Sequence, residues 1–141
     1  MAIIDQSSIW QALEQRLART ENPRHRQMLE TVIEHGKAEA ARSIDRLMAT
    51  LVPDPQYHLW TGGRDHGPKG YDAVHEFYRQ FVMSGGAVFN SPKHRIVVDD
   101  DNVVHEGVMS ALISGADAER RGYNVPDESG HYLVQLRSVA F

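Results

Sequence analysis

Apolar residues near the start of the chain recur at helical spacing. Ile9 and Leu13 begin a short stripe, and Ser8 with Gln11 has the spacing of a capping box. The pattern predicts a helix within residues 1–22. We expect this segment to be a helical arm before the main domain, either packed on it or mobile.

A longer apolar stripe begins after Asn22 and Pro23, an N-cap residue and a proline suited to the first helical position. It continues to Leu51, and Pro53 ends it because proline disfavours helical geometry in the residue before it. The pattern predicts one amphipathic helix of about seven or eight turns, interrupted at most at Gly36.

The middle of the chain predicts a short strand, a loop and a third helix. Residues 56–61 are aromatic and β-prone, which is typical of a strand. The glycine-rich loop 62–70 leads into the helix, and Gly85 with Gly86 ends it. One buried stripe at positions i, i+3, i+4 and i+7 of that helix is formed by Val74, Phe77, Tyr78 and Phe81.

From residue 94 onward the apolar period is two. The pattern predicts strands over 94–99 and 103–113, joined by a turn at 100–102 whose residues tolerate positive φ. A polar loop over 114–130 and a last strand over 131–141 follow. The predicted order is α-α-β-α-β-β-β, which is an α+β domain with an antiparallel sheet.

The chain has 141 residues, of which 41% are apolar and 24% charged. This length and composition predict one folded domain, which we place at residues 23–141. No apolar run reaches the ~18 residues of a spanning helix and the start has no secretory signal, so we expect no membrane partner. The absence of cysteine favours a cytoplasmic location.

Lys and Arg number 15 and Asp and Glu 19, which gives a formal net charge of −4. Such a surface repels a phosphate backbone, so we expect no nucleic-acid partner. The eight histidines are the one compositional indication of acid–base or metal chemistry. However, no metal-ligand spacing occurs, and the P-loop-like segment 62–69 has Pro68 before its lysine. We therefore expect neither a metal nor a cofactor.

Two segments resemble a known family. The segment 70–78 (GYDAVHEFY) follows the predicted long helix and short strand, and the segment 123–130 (YNVPDESG) precedes the last strand. Over residues 28–141 the chain resembles the NTF2-like superfamily, and within it the SnoaL-like branch. The resemblance implies an NTF2-like or cystatin-like cone, in which N-terminal helices pack in a curved antiparallel sheet beside an apolar pocket.

The family resemblance leaves two hypotheses about function open, because this fold serves many activities. The first is a cofactor-independent lyase, isomerase or hydrolase that uses acid–base chemistry on a small apolar molecule. The second is a non-catalytic module that binds a ligand or dimerises. The family continues with a further strand where this chain ends at Phe141, so we expect a domain truncated at its C-terminal end. The apolar edge around Leu136 and Val139 then favours a homodimer through the sheet.

Two histidines are the candidate catalytic proton carriers. The two-residue period of the strand 103–113 places His105 on one face with Met109, where burial would keep its imidazole neutral. His58 and Trp60 point the same way on the short strand, where the resemblance places the pocket mouth. Each histidine has a simpler interpretation, His105 as a hydrogen-bonded core residue and His58 as a residue of the rim.

The remaining candidates are predicted to line the pocket. Tyr132 and Ser138 share a face of the last strand and offer hydroxyls to a ligand, with core packing as the simpler interpretation of Tyr132. The other lining residues are Trp60, Met109 and the stripe residues Phe77, Tyr78 and Phe81.

Overall fold

The structure is a computed structural model that describes residues 4–83, 88–120 and 122–140. It has the predicted α+β character, with an antiparallel sheet. A 3-10 helix at Gln6–Ile9 precedes the other elements, which in chain order are α1 (Gln11–Leu17), α2 (Pro23–Ala40), α3 (Ile44–Met48), β1 (Trp60–Thr61), β2 (Arg64–Asp65), α4 (Tyr71–Met83), β3 (Phe89–Asn90), β4 (Lys93–Val98), β5 (Val103–Ser114), α5 (Gly115–Arg120) and β6 (His131–Ala140). Within the described ranges, no helix has the length and apolar character needed to cross a membrane.

The chain divides into two compact units. The first unit contains the described residues of Met1–Ile33 and Val88–Phe141, and the second unit contains those of Glu34–Ala87. Each unit has an apolar cluster of its own. The predicted helical arm belongs to the first unit, where Leu13 of α1 is 1% exposed.

In the first unit, α1 and the beginning of α2 pack on the sheet. Leu13, Leu29 and Ile33 are buried together, and further apolar residues pack around them: Trp10, Leu17, Val32, Ile96, Val98 and Val103. α2 begins as predicted, because Asn22 Oδ1 accepts hydrogen bonds from the backbone N–H groups two and three residues further on, at 2.9 and 3.3 Å.

The sheet of the first unit is built around β5, which pairs with β3 and β4 on one side and with β6 on the other. The turn between β4 and β5 forms as predicted, because Asp99 Oδ1 accepts from the backbone N–H groups two and three residues on, at 2.9 and 2.7 Å. The register shifts between Lys93 and Arg95. There the strands come so close that a Cβ on Gly107 would overlap the Pro92 carbonyl oxygen.

In the second unit, α3 and α4 pack with the end of α2. The buried residues of this cluster are Ala38, Leu47, Met48, Val74 and Tyr78. β1 and β2 form a two-stranded hairpin inside the segment predicted as strand and loop. After β2, the loop packs closely on the backbone of Tyr57. A Cβ on Gly67 would overlap the Tyr57 carbonyl oxygen.

The predicted long helix was wrong, because it breaks at Arg42, whose φ is 56°, and not at Gly36. The backbone N–H of Ser43 donates to Ala38 O, and that of Arg42 donates to Glu39 O, both at 3.0 Å. These two bonds are a Schellman motif, which ends α2 before α3 begins. The apolar spacing continues across the break, so periodicity alone could not reveal it.

Three smaller predictions were also wrong. The strand predicted over 56–61 reduces to β1, since Gln56 forms only an isolated bridge with Lys69. The loop predicted over 114–130 begins with α5. The first turn of the chain is capped by Asp5, which accepts from the Ser7 N–H at 3.0 Å, and not by Ser8.

The last three strands were predicted within one residue of their observed ends, as β4, β5 and β6. β3 was not predicted. The predicted end of the third helix at Gly85 and Gly86, and the chain end at Phe141, lie outside the described residues.

Candidate functional site

Four predicted site residues share one face of the sheet in the first unit. In the β5–β6 register, Gly107 opposes Ser138, and Met109 opposes Leu136. Because opposed residues and residues two apart lie on the same face, His105, Met109, Tyr132 and Ser138 all project from that face. The same face carries Ile96 of β4, which pairs with His105 and packs against α1 and α2.

His105 is half-buried, and its Nδ1 has no hydrogen-bond partner among the described residues. Burial, and after it the positive charge of Lys93, lowers the pKa of His105 to about 4. The imidazole is therefore neutral at pH 7 and its ring lies on the helix-covered part of the sheet.

The Tyr132 hydroxyl has partners within its own loop. It donates to the Asp127 carbonyl oxygen at 2.8 Å and accepts from the Asp127 N–H at 3.0 Å. Ser138 is half-buried on the same strand. Tyr132 therefore stabilises the loop before β6. Its hydroxyl proton is already donated to a backbone carbonyl oxygen and is not available to a ligand in this arrangement.

His58 and Trp60 lie in the second unit, whereas His105 belongs to the first unit. The His58 side chain is 54% exposed and its Nδ1 lies 2.7 Å from Asp65 Oδ2, and Lys69 Nζ lies 2.8 Å from the same oxygen. Hydrogen bonds from Lys69 and from the Gly67 backbone lower the pKa of Asp65, so this carboxylate is ionised. Trp60 is 67% exposed. Asp65 and Lys69 therefore form a surface ion pair that His58 joins by a hydrogen bond.

Phe77, Tyr78 and Phe81 lie on α4 in the aromatic part of the second unit's core. The rings of Phe77 and Tyr78 are 5.3 Å apart edge to face, and Phe77 stacks on Phe81 at 6.4 Å. Tyr57 completes the group, with its ring 6.5 Å from Phe77 and 5.8 Å from Tyr78. The three aromatic residues of the stripe predicted for the third helix thus pack together with Tyr57.

A chain of hydrogen bonds runs through this aromatic core, and sequence reasoning did not find it. His35 Nδ1 lies 2.7 Å from Thr50 Oγ1, and His35 Nε2 lies 2.9 Å from the Tyr78 hydroxyl. The Tyr78 hydroxyl lies 2.8 Å from that of Tyr57. Glu39 is a second acceptor within hydrogen-bond reach of Tyr78, and its Oε1 lies 3.7 Å from His35 Nε2. We call these five residues the His–Tyr cluster.

Counting donors assigns the protons of the His–Tyr cluster. The Thr50 hydroxyl donates to the Leu47 carbonyl oxygen at 2.6 Å, so it accepts from His35 and Nδ1 carries a proton. In a neutral ring, Nε2 then accepts the proton of Tyr78, and Tyr78 accepts that of Tyr57. If Tyr78 donated to Glu39 instead, both ring nitrogens would need protons. The two arrangements differ by one proton on His35.

Burial sets the charge state of this cluster. Desolvation lowers the pKa of His35 to about 4, which keeps the imidazole neutral at pH 7. Desolvation also raises the pKa of Tyr78, with the negative charge of Glu39 as the next cause, and burial raises the pKa of Tyr57. Both phenols are therefore neutral hydroxyls that can donate a proton and accept another.

The sequence held one signal for this cluster. His35 and Glu39 are four residues apart on an amphipathic helix, so an imidazole and a carboxylate share one helical face. Thr50, Tyr57 and Tyr78 come from three other parts of the chain, and nothing in their spacing indicates that their hydroxyls meet. Within the described ranges, no three His, Asp or Glu side chains are grouped so that they could hold a metal ion.

Comparison with family models finds no match for this chain, and comparisons with curated proteins and with solved structures find none either. The NTF2-like resemblance therefore stays a prediction.

Proposed function

We propose that the His–Tyr cluster is a cofactor-free acid–base centre that takes a proton from a small, largely apolar molecule and returns it. The observation that carries this proposal is the unbroken chain of hydrogen bonds from Tyr57 through Tyr78 to a neutral imidazole. The hydrogen-bonded groups lie among aromatic side chains, with Phe77 packed against both tyrosine rings. Such an environment suits an apolar ligand. In this proposal the domain is NTF2-like, of the SnoaL-like branch.

The proton moves along the chain in three coupled steps. The substrate gives a proton to the Tyr57 oxygen, Tyr57 gives its own proton to Tyr78, and Tyr78 gives its proton to His35 Nε2. The ring becomes an imidazolium, and Tyr78 is free to donate to Glu39. Reversal of the three steps returns the proton to a different atom of the substrate, which is an isomerisation.

The energetics of the centre rest on two opposing effects. Burial makes the imidazolium costly, as the pKa of about 4 for His35 expresses. The carboxyl group of Glu39, 3.7 Å from Nε2, offsets part of that cost once the proton arrives. A neutral base this weak requires a substrate with an activated C–H bond, such as one next to a carbonyl group, held against the Tyr57 oxygen.

The test is hydrogen–deuterium exchange next to the carbonyl of small cyclic ketones and lactones in D2O, followed by NMR. We expect the protein to exchange at least one of them faster than buffer does. Tyr57→Phe removes the hydroxyl that meets the substrate, so we expect its rate to fall at least about 100-fold. Tyr71→Phe is the matched control, because Tyr71 lies on α4 but is 47% exposed, and we expect it to keep the full rate.

Two results would contradict the proposal. One is exchange no faster than in buffer for every compound of the panel. The other is a Tyr57→Phe variant, shown to be folded by its thermal transition, that exchanges as fast as the unaltered protein. In either case the His–Tyr cluster stabilises the core of the second unit and does no chemistry.

One observation favours the second candidate function, an assembly module that dimerises through the sheet. Within the described residues β6 pairs with β5 alone, so its other edge is unpaired. Leu133, Leu136 and Val139 of this strand are each about half exposed, at 49%, 47% and 56%. An unpaired edge that carries exposed apolar side chains favours pairing with another copy.

A further inference from the structure

A pocket of about 220 Å³ lies between α1 and β4 in the first unit. Basic and polar side chains dominate its lining, which consists of Ala12, Gln15, Arg16, Arg19, Lys93, His94 and Ile96. No acidic side chain of the described residues lines it. We call it the cationic pocket, and its residues have no part in the His–Tyr cluster.

Arg16 gives the cationic pocket an unsatisfied donor. Its Nε is buried and has no hydrogen-bond partner among the described residues. Neither Arg16 of α1 nor Arg19, in the turn that follows α1, forms an ion pair with a described side chain. A buried donor without an acceptor destabilises the folded state, and a charged one more so. The Arg16 side chain also lines the cationic pocket, so an anion bound there would lie next to this charged group.

We propose that the cationic pocket binds a small oxyanion, either a carboxylate or a phosphate group on a small molecule. Guanidinium groups pair with these anions through two parallel hydrogen bonds, and the Lys93 ammonium adds a charge without such directionality. The volume is below the ~300–1,000 Å³ typical of sites for drug-sized ligands, so the pocket suits a small anion or the anionic end of a longer molecule.

The net charge of −4 makes this local concentration of positive charge significant. The chain as a whole does not attract anions, so binding in the cationic pocket depends on its local charges, which adds selectivity to the site. Lys93 also provides a reporter. Its positive charge is one cause that lowers the pKa of His105, so an anion bound beside Lys93 raises the pKa of that histidine.

The test is an NMR titration of the whole chain with inorganic phosphate and, in a separate arm, with succinate. Sodium chloride at matched ionic strength is the reference. We expect saturable shifts of backbone signals in α1 and β4 and an upward shift of the His105 pKa in at least one arm. Saturation by phosphate alone, by succinate alone or by both identifies the group that binds, and each of these results supports the proposal.

Charge-removing variants separate a specific site from general attraction. Arg16→Gln and Arg19→Gln each remove a guanidinium of the pocket, and we expect each to weaken binding about tenfold or more. Arg120→Gln is the control, because Arg120 lies on α5 and pairs with Asp117 outside the pocket, and we expect unchanged affinity. Arg19 is exposed, so its replacement tests the site without disturbing the core.

Two results overturn the proposal. The first is that neither anion produces shifts beyond those of sodium chloride. The second is that Arg19→Gln and Arg120→Gln weaken binding by the same factor, which would make the attraction a property of overall charge. Neither result bears on the His–Tyr cluster, whose residues lie in the other unit, and a failure of the exchange assay leaves the cationic pocket unaffected.

Discussion

Histidine shows most clearly how a residue's surroundings decide its chemistry in this protein. His58 lies on the surface beside the ionised Asp65, with more than half of its side chain exposed. His35 and His105 are buried enough that the pKa of each is lowered to about 4. Position in the fold, and not residue type, therefore separates a buried neutral proton acceptor from an exposed hydrogen-bond partner of a carboxylate.

At this scale we predict that stability falls on acidification between pH 6.5 and 4. His35 is neutral in the folded state down to a pKa of about 4 but takes a proton near 6.5 when unfolded. Its contribution is therefore complete above pH 6.5 and is lost as pH falls towards 4, with a change of about 3 kcal/mol. Urea unfolding at pH 7, 6 and 5 measures the slope, to which His105 contributes in the same direction because its pKa is also lowered to about 4.

Ring signals of histidine give the accompanying check. We expect the His35 signal to stay at its neutral position at pH 5.5, where an exposed imidazole is largely protonated. The loss of stability should persist in His131→Gln, because His131 is exposed on β6. A His35 signal that titrates near pH 6.5 would show that burial does not depress its pKa.

At the scale of elements, the break between α2 and α3 brings the His–Tyr cluster together. His35 and Glu39 lie on α2, whereas Thr50 follows α3. A continuous helix would place Thr50 about 22 Å further along the axis than His35, at 1.5 Å per residue. The observed distance of 2.7 Å between their side-chain atoms therefore depends on the reversal that begins at Arg42.

We predict that Arg42→Gly stabilises the protein. Arg42 occupies the position after the helix end with φ of 56°, where a Cβ is unfavourable and glycine carries no penalty. The gain is about 1 kcal/mol, measured by urea unfolding at pH 7. Arg42→Ala removes the same charge but keeps the Cβ, so it should not gain stability. Equal stabilisation by both variants would assign the effect to the charge.

At the scale of the whole molecule, both outer strands of the larger sheet carry exposed apolar side chains. Val97 of β4 is 50% exposed, and three residues of β6 are exposed to a similar degree. Both strands lie at edges of the described sheet. A sheet of this kind is stabilised when a second chain pairs along a free edge, and β6 offers the longer edge.

We predict a homodimer through β6 at micromolar concentration, measured by light scattering after size exclusion. Leu136→Lys places a charge on this strand and, in a paired dimer, near its own copy, so we expect the variant to be monomeric. Val52→Lys makes the same kind of change at a site outside the sheet that is 64% exposed, and it should remain dimeric. A monomeric unaltered protein would contradict the prediction.

The sequence by itself determined the α+β class, the N-cap at Asn22, the helix with the stripe from Val74 to Phe81 and the three long strands. These features depend on neighbours along the chain: on apolar period, capping side chains and turn residues. The predicted face of His105, shared with Met109, likewise needed only the two-residue period.

Only the tertiary structure decided where the candidate chemistry lies. The break at Arg42 escaped prediction because arginine is not the residue that usually adopts positive φ. The His–Tyr cluster and the cationic pocket each join segments distant in the chain: His35 with Tyr57 and Tyr78, and α1 with β4. Hydrogen-bond distances, burial and the resulting pKa values are properties of packing, and packing between distant segments leaves no periodic trace in the sequence.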